Sequence, residues 1–154
     1  MAVRVAGVEV QDAAGARWYA PIRLRVLFDV VRPLADDVEW ELSYLISDKF
    51  PELDQVLART LVGPLSNTGT FATMVEAEAS PDYTRMQRAD FPLGAIVLRG
   101  LYRGREFFRV GYFIHNVYPP GDPDVYSWPP RLAKVTRTIF AAEPHVRLLD
   151  IDWD

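Results

Sequence analysis

The sequence predicts an all-β sandwich or barrel, on three observations. Short runs of alternating apolar and polar residues recur between turn signals along the chain. Eight of them can be drawn in 154 residues, and only one stretch carries a good helical period. Eight strands in one unit close on themselves as a sandwich or a barrel. A chain of this length buries well over half of its surface on folding without disulfides or metals, so residues 1–154 read as a single domain with one core.

Taken in order, the expected strands cover residues 4–11, 22–31, 38–46, 55–63, 69–77, 93–103, 105–118 and 145–151. The opening "MAVRVAGVEVQD" alternates like a strand; it has neither a long apolar run nor a small-residue cleavage site, so no signal peptide or membrane span is expected. In the strand 38–46, Trp40, Leu42 and Tyr44 face inward, with Glu39, Glu41, Ser43 and Leu45 outward. "DKFPELDQVL" accommodates a short turn before the next strand. In "YRGREF", Arg103 and Gly104 sit at the centre of a hairpin, where glycine supplies positive φ, so 93–103 and 105–118 should be antiparallel neighbours. "PPGDPDVYSWPPR" holds five of the twelve prolines and must be an irregular loop. After it, Leu132, Val135, Ile139 and Ala142 of "LAKVTRTIFAA" recur every three or four residues and predict one short helix.

Composition excludes several chemistries. There is no cysteine, so disulfide scaffolds, thiolate metal sites and cysteine nucleophiles are out, and an intracellular home is the default. The net charge of -4 argues against direct nucleic-acid binding, which needs a clustered basic face, and favours a basic partner. His115 and His145 lie 30 residues apart without carboxylates at ligand spacing, so no metal is expected. No phosphate-binding, dinucleotide-binding, zinc-protease or serine-hydrolase motif occurs, and no cofactor is implied. The carboxylates at Asp36 and Asp37, at Asp122 and Asp124, and at Asp150, Asp152 and Asp154 read first as solvated loop or strand positions.

The strand "REFFRVGYFIHNVY" carries the functional signal. Phe108, Val110, Tyr112 and Ile114 make one apolar row, as a core requires. The opposite row should meet water, yet it reads Phe107, Arg109, Gly111, Phe113, His115. On the neighbouring strand, Ile96 and Leu98 go with the core while Leu93, Ala95 and Val97 project to the other side. Leu45, Leu93, Ala95, Val97 and Phe113 therefore make an apolar patch rimmed by Asp54 and Arg109. Such a patch is either a protein interface or a sheet face covered by the helix or the long loop.

"YRGREFFRVGYFIHNVY", with "LADDVEWELSYL", "LDQVLARTLVGPL" and the ending "VRLLDIDWD", resembles the conserved core of the Anti-silencing function family of histone H3/H4 chaperones, nearly end to end. The resemblance implies an immunoglobulin-like β-sandwich whose concave face receives the C-terminal helix of H3 and blocks the H3/H4 tetramer interface. Carried over position by position, it places H3 contacts at Leu45, Asp54, Leu93, Ala95, Val97, Arg109 and Phe113. Contacts to the C-terminal strand of H4 fall at Pro144, His145 and Val146. A further edge for basic peptides of deposition factors, of the histone regulator A and chromatin assembly factor types, falls at Phe28, Asp36, Asp37, Val38, Thr60 and Val62. The chain departs from the family pattern at Lys49, Ala58, Thr60, Ala95, Phe113 and His145, where an acidic residue, an aspartate, an apolar residue, a valine, a tyrosine and an arginine are usual.

The expectation is therefore a monomeric, nuclear, non-enzymatic chaperone that binds an H3/H4 dimer and passes it to assembly factors. Two alternatives stand beside it. One is an intracellular immunoglobulin-like adaptor that uses the same patch on an unrelated helix. The other is a hydrolase built around Asp54, Arg109 and His115, for which no nucleophile is arranged.

Overall fold

The computed structural model describes residues 1–47 and 49–154. Its strands are β1 (Val3–Val10), β2 (Ala16–Arg17), β3 (Arg23–Val30), β4 (Val38–Leu45), β5 (Gln55–Val62), β6 (Gly69–Glu76), β7 (Leu93–Tyr102), β8 (Arg105–Val117), β9 (Thr136–Ile139) and β10 (His145–Leu148). All eight expected strands are present, and β2 and β9 are additional. The turn expected in "DKFPELDQVL" is a single 3-10 turn at Pro51–Leu53; Asp48, the first residue of that segment, lies outside the described residues.

The strands form two sheets, as the all-β sandwich requires. The small one has the order β1-β3-β6, and the large one β2-β9-β8-β7-β4-β5, with β10 also paired to β8. Strand β8 is long enough, at 13 residues, to serve two partners on one edge: β10 along Phe108–Gly111 and β9 along Ile114–Val117. Between the sheets lie Leu24, Val26 and Phe28 of β3, Trp40, Leu42 and Tyr44 of β4, and Ile96 and Leu98 of β7, each at most 1% exposed. The inward alternation expected for β4 and β7 is thus observed. Each such side chain contributes roughly 1.5–3 kcal/mol by leaving water.

The β7–β8 hairpin is the two-residue kind. Tyr102 pairs with Arg105, and both Arg103 (φ 50) and Gly104 (φ 75) take positive φ, the backbone that matches the right-handed twist of the strands. A bulge just beyond it overturns one expectation. Register shifts between Gly100 and Leu101, and this places Phe107 on the core side beside Phe108, not on the outer row. Phe107 packs against Trp40 and Trp153 with ring centroids 5.8 and 4.9 Å away. Gly100 makes the room: a Cβ there would come within 2.7 Å of both the Phe107 and Trp40 rings.

The expected helix at 132–142 is also corrected. Only Leu132–Lys134 turns, as one 3-10 turn, and Thr136–Ile139 extends as β9 between β2 and β8. The inward residues are Val135, Arg137 and Ile139, with period two. A buried arginine at the middle position disguised the alternation. Arg137 is 2% exposed, donates from Nη1 to the Ala20 carbonyl at 2.7 Å, and is pushed below the usual arginine pKa by burial. β-branched Thr136 and Thr138 suit a strand better than a helix.

Candidate functional site

The outer face of the large sheet can be built row by row from its register. Leu45, Ala95 and Phe113 stand side by side on β4, β7 and β8, with Leu93 opposite His115 at the next step. The second row runs Val56, Ser43, Val97, Gly111, His145 across five strands. Leu93 is 61% exposed, Phe113 51% and Val56 48%, so neither the long loop nor a helix covers this face. Ala95 is half-buried and Val97 buried, because the small neighbours Ser43 and Gly111 let it sink into the sheet surface.

The third row is charged: Arg59, Glu41, Arg99, Arg109, Arg147. Glu41 sits between Arg59 at 3.2 Å and Arg99 at 3.4 Å. Glu106 sits between two arginines as well. It accepts from Arg109 Nε and Nη2 at 2.9 and 3.1 Å, while Arg99 Nε lies 3.2 Å away without hydrogen-bond geometry. The guanidinium of Arg109 is therefore oriented by a bidentate partner that sequence reading did not pick out.

Asp54 is different. It ends the Pro51–Leu53 turn, its backbone N–H donating to the Pro51 carbonyl, and its Oδ1 is buried without a hydrogen-bond partner. Burial raises its pKa above the ordinary carboxylate value, against the pull of Arg99 and with a push from Glu52. The second oxygen is not buried in this way and has no hydrogen-bond partner among the described residues, so it is the one an incoming donor can reach.

Strand β10 borders the same face. His145, Val146, Arg147 and Leu148 are all exposed, and β8 is the strand they pair with, which leaves the other edge of β10 open to a further strand among the described residues. Pro144 precedes it and is exposed too. Phe113 and His145 meet edge to face, centroids 5.3 Å apart, so the face and this edge are continuous.

The proposed peptide edge is only partly at the surface. Asp36 and Asp37 are exposed, and Thr60 and Val62 half-buried on β5, whose far edge is unpaired in the sheet order. Phe28 and Val38 are fully buried, so neither presents surface to a peptide; they pack beneath the edge instead. Leu61, 65% exposed, is the apolar surface residue that alternation along β5 could have identified. Among the described residues, all the other carboxylates singled out but Asp150 pair within the chain. Lys134 binds Asp122 and Asp124, Arg105 pairs with Asp152 and Arg32 with Asp154.

The hydrolase constellation does not assemble. Arg109 and His115 are six residues apart on one extended strand, about 20 Å at ~3.4 Å per residue. Among the described residues, no group of three His, Asp or Glu side chains is placed to hold a metal ion, and no helix is long and apolar enough to cross a membrane.

An exposed apolar sheet face, rimmed by oriented ion pairs and continuous with an open strand edge, defines a protein-binding module. Residues 1–154 match the family described as ASF1 like histone chaperone. The chain is 33% identical over 141 residues to the mouse histone chaperone ASF1B, spanning 89% of this chain and 68% of that protein. It is 33% identical to the Drosophila melanogaster histone chaperone asf1 over 99% of this chain and 69% of the relative. With the Aspergillus oryzae histone chaperone asf1 the identity is 36%, over 99% of this chain and 53% of the relative. The chain belongs to the ASF1-like histone chaperone family. It is accordingly a histone-binding protein of chromatin assembly and not an enzyme, and the reading as an adaptor for an unrelated helix gives way.

Proposed function

We propose that the chain holds one H3/H4 dimer, seating the C-terminal helix of H3 on the Leu45–Ala95–Phe113 face and the C-terminal strand of H4 on the open edge of β10. The carrying observation is the uncovered apolar surface itself: Leu93, Phe113 and Val56 are about half exposed on the outside of a sheet whose inner face buries Trp40, Leu42, Ile96 and Leu98. A helix laid along β7 meets apolar side chains in the centre, Asp54 at one rim and the oriented Arg109 at the other. Because that helix is the one through which H3 pairs with a second H3, its capture prevents tetramerisation. The β5 edge with Asp36 and Asp37 then takes basic peptides of deposition factors of the histone regulator A and chromatin assembly factor types, to which the histones pass. The protein works as a monomer in the nucleus. Light scattering of the saturated complex with purified H3/H4 should give one chaperone per H3/H4 pair; an intact histone tetramer bound at saturation overturns this reading.

A further inference from the structure

Asp36 and Asp37 are neighbours just before β4, yet the fold treats them differently: Asp37 lies against Gly63 at the end of β5, while Asp36 turns to the β7–β8 hairpin. Arg103 Nε donates to Asp36 Oδ2 at 2.5 Å, whereas Asp37 makes no ion pair among the described residues and lies over Gly63, where a Cβ would come 2.7 Å from its Oδ1. Arg103 does not reach Asp36 by chance rotation of a free side chain. It occupies a positive-φ position of the β7–β8 turn, its guanidinium carbon lies 5.2 Å from the Tyr102 ring centroid, and Nη1 donates to the Asp154 carbonyl at 2.8 Å. Tyr102 is itself 1% exposed and accepts from the Asp36 backbone N–H at 3.4 Å. Ring, carbonyl and carboxylate together hold the guanidinium in place before any partner arrives.

We infer that Arg103 is a built-in competitor at this edge: it occupies Asp36 with the chain's own cation, leaves Asp37 as the open anchor, and so sets the affinity of the edge for basic extended peptides. This rests on the β5-edge reading above. A peptide with a single cation uses Asp37 alone. One with two neighbouring cations must displace Arg103 to reach Asp36, so the competitor selects for charge density in the partner.

The probe is a labelled synthetic peptide alternating Lys or Arg with Val or Ile, titrated by fluorescence anisotropy at low and moderate salt. Arg103→Gln should tighten binding about 2- to 5-fold at low salt, the range that freeing one exposed carboxylate supports, and the gain should shrink as salt screens it. Arg103→Lys, which keeps a cation beside Asp36, should stay near the wild-type affinity. Arg105→Gln makes the same change of net charge one residue beyond the turn, at a side chain paired to Asp152, and should give clearly less gain. In an Asp36→Asn background, Arg103→Gln should give no more gain than Arg105→Gln does. Weakened or unchanged binding by a natively folded Arg103→Gln, or equal gains at 103 and 105, overturns the competitor. Should Arg103→Gln fail to fold, the aspartates decide: Asp36→Asn must cost less than Asp37→Asn, and the reverse order overturns it. If the Asp36→Ala, Asp37→Ala double variant keeps full peptide affinity, it is the β5-edge reading that fails.

Discussion

The two outer faces of the sandwich both pair their charges within the chain and differ in the apolar surface they leave uncovered. On the small sheet, charged side chains find partners within the chain: Arg4 with Asp29 at 3.0 Å, Arg25 with Glu9 at 3.2 Å, Arg23 with Asp12 at 3.0 Å. On the large sheet the charges pair in a separate row, and beside them Leu93, Phe113 and Val56 stay exposed around half-buried Ala95. Two aspartates make the contrast concrete. Asp29 accepts from the Thr70 hydroxyl and from Arg4, which hold its carboxyl below the usual pKa. Asp54 has a buried oxygen with no partner, and burial pushes its pKa up. A face whose polar groups are satisfied within the chain is finished surface; one that leaves an apolar row exposed beside an unsatisfied carboxylate is waiting for a partner.

The largest effect expected from this contrast is at Ala95, the centre of the open face. Ala95→Arg should abolish H3/H4 binding, because the guanidinium would be desolvated against apolar histone side chains without a counter-charge, at a cost of several kcal/mol. Folding should survive, since the side chain points away from the core. Full histone affinity in a variant with native circular dichroism would remove the face from the interface.

Asp54 gives a smaller, pH-dependent effect. Its raised pKa means that the free chain holds the proton more readily than an ordinary aspartate does, whereas a cation docked beside it favours the carboxylate. Where Asp54 is partly protonated, in mildly acidic solution, binding therefore releases protons, and affinity falls as the pH drops through the Asp54 range, which lies above that of an ordinary aspartate. Calorimetry in buffers of different ionisation enthalpy should detect this release, and Asp54→Asn should lose it. For stability the sign is opposite: partial burial of the carboxylate disfavours the free fold where it is charged, so Asp54→Asn should leave thermal stability unchanged or slightly raised near neutral pH. A drop in stability would mean that the unpartnered oxygen is satisfied after all.

The smallest effect belongs to the finished face. Replacing Arg4 and Arg25 by alanine should leave histone affinity unchanged and move the chemical denaturation midpoint little, since exposed pairs contribute little to stability. A marked loss of histone binding would show that the small sheet also carries a partner, and the contrast between the faces would fail.

Most of the fold was legible because alternation is a local property. In β4, Trp40, Leu42 and Tyr44 are inward at 0%, 0% and 1% exposure, as their spacing requires. The candidate face was legible for the same reason, since Leu93, Ala95 and Val97 could not share a side with Ile96 and Leu98. Two errors came from non-local causes. Phe107 was placed outward because a bulge cannot be read from one strand; it depends on how the partner strand aligns and on the space at Gly100. The helical period expected over 132–142 gives way to strand β9 because a buried arginine looks polar in sequence, although the fold gives it the Ala20 carbonyl to bind.

What the sequence determined by itself is the strand alternation, the Arg103–Gly104 hairpin and the presence of apolar residues on both sides of β7, all consequences of side-chain period and backbone preference over a few residues. Only the tertiary structure decided which charges are free. Arg109 and Asp36 each look available in the sequence, but Glu106 holds one and Arg103 the other, while Asp37 and Asp54 remain open. The physical reason is that an ion pair forms between groups brought within about 3 Å, and for Arg103 and Asp36, 67 residues apart in the chain, that proximity exists only once the strands have paired.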